Sequence, residues 1–450
     1  MSPIRVVIAS FVPLLFDIQT VVGSIYYTDK GTSSTCPSLL FPESLRLHTF
    51  PRIVFLHLQI ILKICSFLDA DFLKYTFTKV CRRFETILAD SHIWKYWVYS
   101  KLNGSCYPPL PHLKVWQDEQ IEWPEVCAEM ASEKRKWENV KDTRRHIVVK
   151  DVHIASVDTV LLVNNGELCV SGGRDRGMAL WGVHDVTAAG AGAGGGAPGP
   201  RPRQLRADAH EGWVWDLAAD SLHDTSVVYS ASWDNTVKAW DLRTGLTCLE
   251  TFRCGMSALS VVTCGDVVMA GLFSKRVLSF DRRAGPRPVA SYKPHRGPVL
   301  ALTVYLLIED KTLAVWDRAA GRTLASDVAL PSTRAYPVCV SWARAALYVG
   351  DSKGTLHLLH PSELRYLQSH EVWPEPEAVK PACKITTCLQ SRGGLVLCSD
   401  RGEIKFLYNS YPPRQYAAVH STTFDVTQLR YLNDVLVIGT CDSALEFWLY

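Results

Sequence analysis

Between Ala209 and Phe252 apolar and polar positions alternate in four short runs. Val214 to Ala218 alternates like a first strand, and Val227 to Ser232 reads as a second, rich in β-branched and small residues. Trp233-Asp234-Asn235 supplies a tight turn, Thr236 to Leu242 a third strand and Thr247 to Phe252 an outer fourth. Such a four-stranded sheet cannot bury both faces alone, so it must stack against copies of itself. His210 and Asp234 are placed to hydrogen-bond across the turns to Ser230 or Ser232 and to the Trp240 indole, which makes their expected role structural.

The copies are degraded but countable. Aligned on Trp240, third strands end at Trp181, Phe280, Trp316, Leu359, Leu407 and Trp448. A Trp-Asp dipeptide recurring at roughly 40–45 residues resembles the WD40 repeat, a blade of a β-propeller. The dipeptide survives at Trp240-Asp241 and Trp316-Asp317, and as Phe280-Asp281. Residues 146–152, HIVVKDV, read as a strand that precedes the first repeat, while the last repeat stops after its third strand at Tyr450. The early strand can therefore complete the last sheet and remove the open edges. Seven third strands plus this closure predict seven blades. In the first, Ala188 to Pro202 is rich in Gly, Ala and Pro and is expected to be a disordered loop; it lacks the ending of a phosphate-binding loop. The fourth is short, because His295 and Trp316 lie closer together than His210 and Trp240, so a strand connection or part of a strand is expected to be missing.

Upstream the period changes to that of helices. Ile60, Ile61, Ile64, Cys65 and Leu68 form one stripe, and Asp69 and Asp71 break it and can cap the next helix. Leu73, Phe77, Val80, Cys81, Phe84 and Leu88 form a second stripe, and Trp94 closes the segment. Pro108 to Pro111 is a stiff turn, and Pro124 suits the first turn of a helix to about Asn139 with Val126, Cys127, Met130 and Trp137 on its apolar face. That face predicts a spacer docked on the propeller. The reading is thus α+β multidomain: a leader over 1–50, a helical unit over 51–98, a helical linker over 99–145 and the all-β propeller over 146–450.

The leader holds an apolar run from Val6 to Phe16 after Arg5 and a small-residue site near Gly23-Ser24, the shape of a secretory signal, but Pro13 interrupts it. An unstructured or alternatively spliced leader fits the rest of the chain better. The net charge of +3 gives no argument for nucleic acid or membrane as partner, and neither is expected. The fourteen cysteines are scattered without zinc-site spacing and read as reduced thiols of an intracellular protein. No nucleophile elbow, His-Glu-x-x-His, phosphate-binding loop or kinase set occurs, so no enzyme activity, metal or cofactor is expected.

Residues 56–98 resemble the F-box. The resemblance rests on the Ile-rich first helix, Phe67-Leu68-Asp69, Asp71 with Leu73, Val80-Cys81-Arg82, Phe84, Leu88, Asp90 and Trp94-Lys95. F-boxes usually open with Leu-Pro, where this chain has Leu56-His57. With the repeats, the order resembles the F-box and WD-repeat protein family, that is, a small helical F-box followed by an all-β seven-bladed WD40 propeller. The resemblance implies a substrate-recognition subunit of a Skp1–cullin–F-box ubiquitin ligase, cytoplasmic and also nuclear. Skp1 would link it to cullin 1 and a RING subunit. The implied Skp1 contacts are Leu56, Ile60, Ile61, Ile64, Leu68, Leu73, Val80 and Cys81. Loops at one end of the propeller carry Arg174, Trp213, Trp233, Lys275, Arg296, Arg334, Tyr336, Lys353 and Arg401. Cations with aromatics suit an extended acidic or phosphorylated segment of a protein substrate, although rim charge is often only solvated and Trp213 and Trp233 are expected to be partly buried packing. Two rival classes remain: a WD-repeat scaffold without ligase function, motivated by His57 and the short fourth repeat, and a secreted binding protein or enzyme, motivated by residues 1–24.

Overall fold

The computed structural model describes residues 52–102, 122–191 and 199–293, and most of 298–450. The leader, the Pro108–Pro111 turn and residues 192–198 of the Gly-rich insertion lie outside the described residues. The chain divides into two compact units, 1–62 and 63–450. The first contributes most of helix α1, Arg52–Cys65.

In the second unit, Asp69 caps α2, Ala70–Tyr75, by accepting from the Asp71 N–H at 3.0 Å, so Asp71 is inside the helix rather than a second cap. A single turn of 3₁₀ helix, Phe77–Lys79, leads to α3, Arg82–Leu88. Asp90 then caps α4, Ser91–Lys101. The expected continuous stripe from Leu73 to Leu88 is therefore broken into three pieces. Leu73, Phe77 and Leu88 are buried, and Phe77 stacks on Phe84 with ring centroids 4.3 Å apart. Val80 and Cys81 sit where the backbone leaves the helical path before α3, and both face outward. The Trp94 indole is buried and donates to the Leu88 carbonyl at 2.7 Å, tying α4 to the end of α3.

Helix α5, Trp123–Glu138, starts with Pro124 in its first turn and buries Val126, Cys127, Met130 and Trp137. A short α6, Val140–Thr143, turns the chain into the strands.

Among the described residues the strands form seven four-stranded antiparallel sheets. The sheet with the clearest repeat pairs Val214–Ala219, Val227–Ser232, Thr236–Asp241 and Thr247–Arg253 in that order. Strand Arg145–Val149 completes the last sheet against Leu445–Leu449, with Ile147 opposite Phe447. The ends of this stretch of chain are thereby hydrogen-bonded to each other, and that sheet has no unpaired third strand. In the fourth sheet the described part of the innermost strand is Ala301–Leu302, paired with Leu307 and Ile308. In the first, helix α7, Val183–Ala191, takes up Ala188 to Ala191 of the expected loop. Val183 and Val186 are buried and anchor its start, and the alanines that follow are good helix formers.

Adjacent sheets are joined by a recurrent device. The edge of an innermost strand presents N–H groups, and at four of the seams a side chain of the preceding sheet accepts one of them. Gln428 Oε1 accepts from Val160 N at 2.7 Å, Asp216 Oδ2 from Val261 N at 3.0 Å, Ser341 Oγ from Gln390 N at 3.1 Å and Thr387 Oγ1 from Leu429 N at 3.3 Å. Bulges near the start of these strands, such as Val214/Asp216 and Val426/Gln428, aim the accepting side chains across the seam.

Candidate functional site

Two surfaces bear on function: the helical unit with its spacer, and the loop end of the propeller. The propeller is fixed by side-chain networks that look catalytic in composition and are structural in geometry. Trp240 Nε1–H donates to Ser230 Oγ at 2.7 Å, Ser230 lies 2.6 Å from His210 Nε2, and His210 Nδ1 lies 2.7 Å from Asp234 Oδ2. The orientation that satisfies all four groups has a neutral His210 with its proton on Nδ1, so the chain of donors ends on the carboxylate. Burial pushes the Asp234 carboxyl up, but hydrogen bonds from His210, Thr236 and the Glu211 N–H outweigh it and hold it well below the usual range. No member is left to attack or protonate a ligand.

The first sheet repeats this network with His153, Asp175, Ser171 and Trp181. Sequence reading picked out only the His210 set. The signal was present, because Asp175 precedes Trp181 by the same interval as Asp234 precedes Trp240. A reduced version survives in the fifth sheet, where His357 Nε2 lies 3.0 Å from Asp351 Oδ2. The described cysteines are free thiols, and no metal-binding group of His, Cys, Asp or Glu occurs among the described residues. No helix among them is long and apolar enough to cross a membrane.

Helix α5 joins the helical unit to the propeller. On one side Arg135 Nη1 pairs with Asp69 Oδ2 at 2.8 Å, Arg135 also meets Asp71, and Lys74 meets Glu125. On the other, Trp137 stacks on Phe406 with ring centroids 4.0 Å apart and donates to Tyr431 Oη at 3.4 Å. Tyr431 in turn donates to Glu133 Oε2 at 2.7 Å, and Lys136 pairs with Asp434 at 2.8 Å. Burial and the neighbouring Asp434 push the Glu133 carboxyl up, against the opposing pull of Tyr431 and Lys136. The buried Arg144 lies with its guanidinium carbon 3.8 Å from the Trp137 ring centroid. A spacer held this way on both sides is stiff.

The expected Skp1 contacts fall in different places. Ile60, Ile61, Ile64 and Leu68 are half-buried, Leu73 is buried inside the helical unit, and Val80 is 61% exposed with Cys81 exposed beside it. The side chain of Leu56 lies outside the described residues. Phe67, not among the expected contacts, is 68% exposed.

At the loop end of the propeller, Arg174 is already paired with Asp158 at 3.0 Å and lies 5.1 Å from the Trp213 ring centroid. Lys275, Tyr336 and Lys353 are exposed and Arg401 is half-buried, whereas Arg296 and Arg334 lie outside the described residues. Trp233 is half-buried, as expected of packing, but Trp213 is 41% exposed. Trp213 immediately precedes the strand Val214–Ala219.

No family model matches the chain. Among characterised proteins it is 28% identical over 405 residues to human (Homo sapiens) F-box/WD repeat-containing protein 9, covering 88% of this chain and 82% of that protein. The bovine (Bos taurus) protein of the same name is 30% identical over 313 residues, 68% of this chain and 64% of its own length. F-box/WD repeat-containing protein mec-15 of Caenorhabditis elegans is 25% identical over 397 residues, 82% of this chain and 89% of its own. Relatives at 25–30% identity over most of the chain are thus F-box/WD-repeat proteins. The matches to the human and worm family members span most of the chain. Its propeller and protein–protein interaction character follow the family.

Proposed function

We propose that this protein is a substrate-recognition subunit of a Skp1–cullin–F-box ubiquitin ligase, in which residues 51–98 dock on Skp1, residues 99–145 act as a rigid linker, and the propeller over 146–450 binds the target. On this reading the seven sheets are the blades of one closed ring. The observation that carries the proposal is α5. It holds the helical unit by ion pairs at Asp69 and Lys74 and the propeller by the Trp137–Phe406 stack, so a target on the propeller would be held at a fixed offset from the ligase core. The contribution is proximity: a rigid adaptor raises the effective concentration of target lysines near the ubiquitin-loaded enzyme and performs no bond chemistry itself. Val80 and Cys81 are the exposed members of the proposed Skp1 contacts, and Ile60, Ile61, Ile64 and Leu68 are the half-buried ones. The protein would work in the cytoplasm and nucleus.

The test is co-expression of the tagged full chain with Skp1, cullin 1 and the RING subunit. Recovery of a four-component complex at equal stoichiometry supports the proposal, and recovery of the chain alone removes it. The second reading, a WD-repeat scaffold without ligase function, is favoured by His57 at the position where F-boxes carry Pro.

A further inference from the structure

A strip of aromatic surface, exposed at Trp213 and Phe273 and half-buried at Trp233, crosses three consecutive sheets at the loop end of the propeller. It starts at Arg174 in the first sheet, runs through Trp213 and Trp233 in the second, and ends at Phe273 and Lys275 in the third. The Trp213 and Trp233 ring centroids are 5.6 Å apart, and Trp233 and Phe273 are 5.8 Å apart. Met256 is 43% exposed and Phe273 47% exposed on the same connections. The strip is preorganised by backbone. Trp233 N donates to the Trp213 carbonyl at 3.0 Å, Phe273 N to the Ser257 carbonyl at 3.0 Å, and Ser257 Oγ to the Trp233 carbonyl at 3.3 Å. Rigid aromatic side chains that remain exposed and adjacent are the residues that dominate binding energy in protein interfaces, because little side-chain entropy is lost when they are covered.

The charges around the strip select the occupant. Arg174 is held to Asp158 through Nε and lies over Trp213 and Trp215, so the Asp158 carboxylate already offsets its charge and disfavours a dianion beside it. Lys275 is exposed on the turn that carries Phe273, and Arg253 is exposed beside Met256 in the chain; neither has a carboxylate partner among the described residues. Glu211, two residues before Trp213, is exposed, and it disfavours a dianion at that end. The surface therefore combines aromatic faces with point positive charges at one side. We propose that it takes an unphosphorylated segment of the target protein, with an aromatic or large aliphatic side chain on Trp213–Trp233–Phe273 and a nearby carboxylate at Lys275. This rests on the reading that the propeller binds the target, and it specifies the chemistry of that target.

The experiment pans phage-displayed random peptides on the full chain. Enriched sequences are synthesised with fluorescein, and their affinity is measured by anisotropy for wild type, for a Trp213→Ser/Phe273→Ser double variant and for Lys275→Glu. The account expects a shared aromatic or large aliphatic residue close to Asp or Glu. It expects at least a tenfold loss of affinity in the double variant and a smaller loss in Lys275→Glu, which changes only an exposed turn and keeps the test valid if the double variant unfolds. No enrichment, a basic consensus, or equal affinity for wild type and Lys275→Glu overturns it. Skp1 capture is read on the same preparations. Skp1 binding without peptide enrichment defeats the strip and leaves the adaptor reading standing, and the reverse result defeats only the adaptor reading.

Discussion

The Trp137 ring lies flat against Phe406, centroid to centroid 4.0 Å, across the junction between the linker helix and the propeller. Both side chains are buried, and Tyr431 meets Trp137 edge-on at 5.6 Å. The spacer is thus welded to the sixth sheet rather than tethered to it. Replacing Trp137 with Ala removes a fully buried indole and leaves a cavity lined by Phe406 and Tyr431, at a cost of about 3 kcal/mol or more. The expected outcome is a lower thermal midpoint together with new protease cleavage near α5, checked by calorimetry and limited proteolysis.

The neutral His210 network makes a different prediction. Substituting His210 with Ala leaves Ser230 without its acceptor and the buried Asp234 without its main donor, costing about 2 kcal/mol. His153→Ala in the first sheet is expected to cost a similar amount, because Asp175 and Ser171 lose the same partners. Urea unfolding midpoints of the two variants check this.

The pairing of strand Arg145–Val149 with Leu445–Leu449 is acid-sensitive. Burial pushes the Glu446 carboxyl up, but hydrogen bonds from His146, Thr422 and Ser421 outweigh it and hold its pKa at about 2. A carboxyl with a depressed folded pKa stabilises the fold above its ordinary pKa of 4.5, and that contribution is lost as pH falls toward 2. Glu446→Gln removes it. The stability difference between wild type and Glu446→Gln is therefore expected to be constant above about pH 5 and to shrink steadily below it, measured as unfolding free energy against pH.

Gly172 ends the second strand of the first sheet, and a Cβ there would approach Val214 Cγ1 to 2.6 Å. The neighbouring sheet enters at that point, so Gly172→Ala overpacks the seam and is expected to destabilise by about 1–3 kcal/mol, read from the urea midpoint.

Much of this architecture is legible in the chain. The alternation over Ala209–Phe252 places all four strands of that sheet to within a residue or so of those observed, because their inner faces are buried and a register slip would expose them. The closing strand and the docked α5 are equally readable, since each has an apolar face with no local partner. What escapes the sequence depends on tertiary detail. Helical periodicity connects Leu73 to Leu88, but it cannot register the backbone break at Val80 and Cys81 that turns those two outward. Likewise, nothing local distinguishes Trp213, which is exposed, from Trp233, which is half-buried with its ring near those of Trp213, Trp215 and Phe273.

The central claim is tested most directly by the affinity of the purified full chain for Skp1, measured by titration calorimetry, alongside Val80→Asp. Val80 is exposed and outside the packed core of the helical unit, so the variant keeps its fold while placing a charge on the proposed docking surface. The account predicts one-to-one binding to wild type and at least a tenfold weaker affinity for Val80→Asp with an unchanged thermal midpoint. Absence of binding to the folded wild-type chain, or equal affinity for both, contradicts it.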